Sequence, residues 1–142
     1  MVSDWILDLK RTKSVIYKQR IIERALIAYR LGSSSAECFL YNCYLAYNPS
    51  FQYELTTVIK TSNLTYKSNP WTKFWGVLEM LRTHSLNKSK LSMIVNKETS
   101  PLFDSVEWNL VCRPVILKDL NCGIDANILN TVLGNTEWRI PE

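Results

Sequence analysis

Residues 113–134, RPVILKDLNCGIDANILNTVLG, decide how this chain folds. Leu110, Leu117 and Leu120 recur at helical spacing up to a break at Gly123, and Asp125 is a good N-cap for a short helix carrying Ile128, Leu129, Val132 and Leu133. Ile124 and Leu129 fall at the two positions of a hydrophobic staple. A helix that starts after such a break exposes unpaired N–H groups and the positive end of its dipole, and a glycine lets backbone and phosphate approach closely. Gly123 therefore reads as a phosphate-facing turn, with Asn121 adding a donor and Lys118 a point charge, while Asp119 reads as a capping or salt-bridge residue. A glycine between packed helices also serves as a plain turn, and the segment alone leaves both readings open.

The same periodicity runs outward in both directions. Residues 15–31 place Val15, Ile22, Leu26 and Tyr29 on one face and end at Gly32; Ser34-Ser35-Ala36-Glu37 is a capping box for an aromatic helix over 35–47 that stops at Asn48-Pro49. Asn69-Pro70 can start a helix whose Trp71, Phe74, Trp75, Leu78 and Leu81 form an apolar stripe. Asn87 caps the next helix, with Leu86 and Leu91 as its staple, and Asp104 with Glu107 makes a capping box for a long helix through Leu120. Segments 56–69 and 97–104 read as mobile loops, with a turn at 85–88. No stretch alternates as a strand would. The expectation is an all-α, compact bundle of roughly six helices.

A chain of 142 residues suits one domain, since single domains run roughly 100–150 residues. Its 46% apolar content argues against disorder, and no stretch approaches the ~20 apolar residues of a membrane span. The start, MVSDWILDLKRTK, lacks a signal-peptide layout, so an intracellular, soluble, monomeric protein without membrane attachment is expected, in a host cytoplasm if phage-encoded or a nucleus if eukaryotic or viral. Cys38, Cys43, Cys112 and Cys122 lack C-x-x-C spacing and read as reduced thiols, and His84, the sole histidine, as a capping or surface residue. Neither a metal site nor a catalytic residue is expected.

The net charge of +4 is unevenly spread. Residues 10–30 hold seven Lys/Arg against Glu23, and residues 60–97 another seven against Glu79, whereas 98–142 hold three against seven acids. A nucleic-acid backbone would be drawn to the first two regions, although basic residues on amphipathic helices also serve simply as solvated faces.

The run Lys118-Asp119-Leu120-Asn121-Cys122-Gly123, followed by a short apolar helix, resembles the N-terminal DNA-binding domain of ATP-dependent DNA ligases, particularly the T-even-phage type. The order of elements over 75–120 is similar to that family's, as are the basic run YKQRIIER (17–24) and the aromatic segment ECFLYNCYLAYNPSFQYEL (37–55). One departure is Pro114, which stands where the phage-type ligase has a second basic residue. The adenylated lysine of that family sits in a K-x-D-G motif, which this chain lacks, so the chain alone is expected to be inactive, with ATP and Mg²⁺ as cofactors of a full-length ligase only.

The resemblance implies a domain over 1–137 with 138–142 as the entry to a linker before an absent nucleotidyltransferase domain. It implies a module that grips double-stranded or nicked DNA through backbone and minor groove during nick sealing in replication, repair and recombination. The residues expected to touch DNA are Lys18, Arg20, Lys88, Lys90, Lys118, Asn121 and Gly123. Expected partners are DNA and the missing ligase catalytic domains. Two other readings stay open: a stand-alone helical duplex-binding protein, and an adaptor whose aromatic helix 35–47 docks a partner such as a sliding clamp.

Overall fold

Every element among the described residues is helical. A computed structural model describes residues 1–53, 55, 70–83 and 87–141. The expected loop at 56–69, His84, residues 85 and 86 of the expected turn, and the Lys88 side chain lie outside the described residues. The elements are α1 (Val2–Lys10), α2 (Val15–Arg30), α3 (Ser34–Tyr47), α4 (Pro70–Thr83), α5 (Lys88–Glu98), a 3₁₀ turn (Ser100–Leu102), α6 (Ser105–Glu107), a π-helical turn (Trp108–Cys112), α7 (Arg113–Ile116) and α8 (Ala126–Leu133). Since α6, the π turn and α7 follow without a gap, they form one rod. Seven rods result among the described residues, against the roughly six that the sequence suggests.

The additional rod is α1. Its Val2, Ile6 and Leu9 are buried, and fully burying such side chains contributes roughly 1.5–3 kcal/mol each. Met1 offers α1 no side-chain cap. The cap comes instead from Glu107, whose carboxylate accepts from the Val2 and Ser3 amides at 3.1 and 2.8 Å. Glu107 was expected to close a capping box locally. Asp104 does its half, accepting from the Glu107 amide at 2.8 Å, but the glutamate side chain turns inward to a different helix.

Local capping otherwise follows the sequence closely. Ser14 caps α2, Asn87 caps α5 and Asp125 caps α8. Ser33, one residue before the expected Ser34, caps α3. Gly32, at φ +95, ends α2 as the left-handed residue of a closing turn in which the Ser33 amide reaches back to the Ala28 carbonyl. Val15 does not join the core, because it opens α2 on the exposed side of the first turn.

Around α3 the core is aromatic. Phe39 and Leu40 are fully buried, Trp5 stacks on Phe39, and Tyr41 packs against Trp75 and Trp138. Tyr44 also packs against Phe51, so Tyr41 and Tyr44 of α3 both join internal aromatic contacts while staying half-buried. A second cluster joins Trp71 and Phe74 of α4 to Phe103 and Trp108. Segment 97–104 is therefore no loose loop: Thr99 and Phe103 are buried, and the 3₁₀ turn fixes the corner.

The rod ends at Ile116 rather than Leu120, and Pro114 accounts for part of its shape. A proline inside a regular α-helix lacks its N–H and collides with the carbonyl four residues back, and the wider π turn immediately upstream relieves both problems. At the other end of the chain, Trp138 and Ile140 are buried, and the Asn130 side chain exchanges two 2.8 Å hydrogen bonds with the Ile140 backbone. Residues 138–140 thus pack as part of the domain. No helix among the described residues is long and apolar enough to cross a membrane.

Candidate nucleic-acid interface

The turn from Leu117 to Asp125 contains three left-handed residues: Lys118 (φ +67), Asn121 (φ +57) and Gly123 (φ +74). Lys118 closes the rod, with its own amide bonded to the Val115 carbonyl and the Asp119 amide to the Pro114 carbonyl. A lysine pays a steric cost for this conformation, and its side chain supplies the compensation. Its ammonium donates to the carbonyls of Leu45 (2.5 Å) and Asn48 (2.8 Å) at the C-terminus of α3, above the Tyr53 ring. That is where a helix dipole favours a cation. Lys118 is accordingly an internal clamp between the rod and α3, not a free surface charge.

Burial lowers the Lys118 pKa from 10.5 to about 8. The folded domain therefore releases this proton before the unfolded chain does, and stability from this group rises with pH between about 8 and 10.5. A neutral amine still has two N–H groups for the two carbonyls. In urea titrations at about pH 7.5 and 9.5, wild type is expected to gain stability relative to Lys118→Met. A gap that stays constant or shrinks would refute the assignment.

Lys18 is likewise an internal clamp. It is only 6% exposed, and its ammonium donates to the carbonyls of Leu9 (3.1 Å), near the end of α1, and Cys122 (2.5 Å), in the turn. A Cβ at position 123 would collide with that ammonium, so Gly123 is required twice over, by its φ and by Lys18. Asp119 takes the capping role expected of it, accepting from the Asn121 amide at 2.9 Å, and the Tyr47 hydroxyl accepts from the Leu120 amide at 3.1 Å. Burial raises the Cys122 thiol to about 11, which keeps it protonated and inert at neutral pH.

Around this turn lies a groove of about 370 Å³ bordered by Lys10, Thr12, Lys13, Lys18, Asn121, Cys122 and Gly123. Lys10 and Lys13 are exposed and, among the described residues, make no ion pair; the Gly123 amide has no hydrogen-bond partner there either. The groove thus brings two exposed cations and a left-handed backbone turn together, the chemistry that an anion site needs. The N-terminus of α8, where a phosphate was expected, is already occupied by the Asp125 carboxylate, which accepts from the Ile128 amide at 2.8 Å. The groove lies beside it.

Of the residues expected to share the site, Asn121 and Gly123 line the groove directly and Lys18 sits at its floor. Arg20 is two positions along α2, about 200° around the helix, with its guanidinium over the Tyr17 ring. Lys90 is exposed on α5, which packs on α4 and the 3₁₀ turn and does not border the groove. Lys10 and Lys13 were passed over as individuals, although both belong to the basic stretch 10–30. Their signal was position, flanking the turn between α1 and α2, and it became readable only once that turn was seen to face Gly123.

Two solved chains, named Pmar-Lig_PreS3 and Pmar-Lig_Pre., share this architecture. The first superposes with a TM-score of 0.85 at 20% identity, the second with 0.80 at 19%, and each match covers 99% of this chain but 31% of the other. This chain shares the fold of the matched part of both. In both neighbours it is one part of a chain about three times as long, and this chain spans about a third of their length. No family model matches the sequence, and no curated protein does.

Proposed function

We propose that this domain is the DNA-binding module of an ATP-dependent DNA ligase, holding duplex DNA by its backbone at the groove between the α1–α2 turn and Gly123. The observation that carries this reading is that Lys10 and Lys13, without an ion pair among the described residues, line one groove with Gly123, whose amide has no hydrogen-bond partner among those residues. Asn121 adds a neutral donor. Lys18 and Lys118 are positioning residues: one ties the turn to α1, the other ties the rod to α3. The ligase-like fold and the motif at 118–123 support the same reading, and a grip through phosphates rather than bases would suit a protein that acts wherever a nick occurs. The ATP, Mg²⁺ and catalytic domains of the complete reaction belong to the rest of such a ligase, and this module contributes grip.

Each lysine–phosphate contact releases condensed counterions, so the log–log salt dependence of duplex affinity should weaken by about 0.9 for Lys10→Ala and again for Lys13→Ala. Lys90→Ala should leave the slope unchanged. Fluorescence anisotropy on nicked and intact duplexes of unrelated sequence reads all three. Affinity no better than that of an unrelated basic protein, or slopes indifferent to Lys10 and Lys13, would sink the proposal.

A further inference from the structure

Five of the eight exposed large apolar side chains among the described residues belong to α2 or its C-cap: Val15, Ile16, Tyr17, Ile27 and Leu31. Ile16 is 63% exposed and Leu31 83%. At 100° per residue, Ile16, Arg20, Ile27 and Leu31 fall within a stripe about 60° wide and roughly 22 Å long, on the side of α2 away from Lys18. Grooves flank this ridge on both sides. One, of about 640 Å³, runs toward Asp8 and Thr12 of the α1 end; the other, of about 630 Å³, runs toward Thr131 and Val132 of α8.

The charge along the ridge is as uneven as its hydrophobicity. Arg20, Arg24 and Arg30 stand against Glu23, and among the described residues Arg20 and Arg24 make no ion pair. We propose that the outer face of α2 is a docking surface for an amphipathic helix of a protein partner, one that brings apolar side chains to Ile16, Ile27 and Leu31 and carboxylates to Arg20 and Arg24. Tyr and Arg are enriched in protein interfaces, and Ile27 and Leu31, four residues apart on one face, form an exposed aliphatic pair on the same stripe as Ile16 and Arg20. A helix laid along a ridge with grooves on both sides fits the helix-in-groove mode. Duplex DNA would satisfy the arginines but offers its backbone nothing to bury three aliphatic side chains. The stripe lies on the side of α2 opposite Lys18, and Thr12 alone borders both a flanking groove and the Gly123 groove, so variants at Arg20 and Ile27 test this face apart from that groove.

The probe is a phage-displayed library of random 16-residue peptides panned on the whole chain, followed by anisotropy with the selected peptides and with a 20-base-pair duplex at about 150 mM salt, where screening confines charge effects to near neighbours. The selected peptides should place Leu, Ile or Phe at helical spacing with Asp or Glu between them. Ile27→Asp should weaken them at least about tenfold and Arg20→Gln about fivefold, with duplex affinity changed less than twofold and melting temperature unchanged. Ile27→Ser repeats the measurement should the aspartate disturb folding. Peptides selected without acidic residues, no selection above background, binding indifferent to these variants, or duplex affinity that falls as far as peptide affinity would each overturn the proposal, the last by giving the face to DNA.

Discussion

Replacing Glu107 with alanine is expected to cost the domain about 2–5 kcal/mol, a fall in melting temperature of roughly 10 °C. Glu107 is 4% exposed, and its two carboxylate oxygens each accept one amide of the first turn of α1. Without it the Val2 and Ser3 amides lose their acceptors in a region closed to water, and each orphaned donor costs about 1–3 kcal/mol. Burial pushes the Glu107 carboxyl up, while those two amide bonds pull it part of the way back. Glu107→Gln keeps one acceptor and turns an NH₂ toward the other amide, so it should lose about half as much. Calorimetry on the three proteins checks the order. Equal stabilities would mean that α1 is held by Ile6 and Leu9 alone.

Gly123→Val combines two penalties at one position. A β-branched residue at φ +74 costs about 1–2 kcal/mol in conformation alone, and its Cβ displaces the Lys18 ammonium that bridges Leu9 and Cys122. A total loss of about 2–5 kcal/mol is expected, together with at least a tenfold loss of duplex affinity as the turn moves away from Lys10 and Lys13. Gly123→Ala should fall between this variant and wild type. Lys13→Ala separates the two effects, because it should lower affinity while leaving the melting temperature alone. A Gly123→Val protein that melts and binds like wild type would remove both the turn and the groove from the account.

What could be read in advance depended on how far apart the interacting atoms are along the chain. Asn87, Asp104 and Asp125 each bond an amide three residues on, so the residue pattern announced their helix starts. Gly32 and Pro49 marked stops for the same reason, and the Trp71–Leu81 stripe marked a buried face. The helix through Leu120 was drawn too long because Leu120 keeps the apolar period of Leu117 after Lys118 has already closed the rod. An apolar period records burial, and Leu120 is buried from within a turn.

The site divides along the same line. Gly123 and Asn121 were legible, since a glycine between two apolar periods can only be a turn and Asn tolerates the left-handed conformation. The lysines were not. Lys18 reaches a carbonyl 104 residues away and Lys118 one 73 residues away, while Glu107 caps a helix 105 residues back. Composition and local period by themselves determined an all-helical domain, most of its caps and the glycine turn, because those depend on bonds within one helical turn. Only the tertiary structure decided which cations face outward, because a lysine's direction is set by whichever helix end the packed fold places beside it.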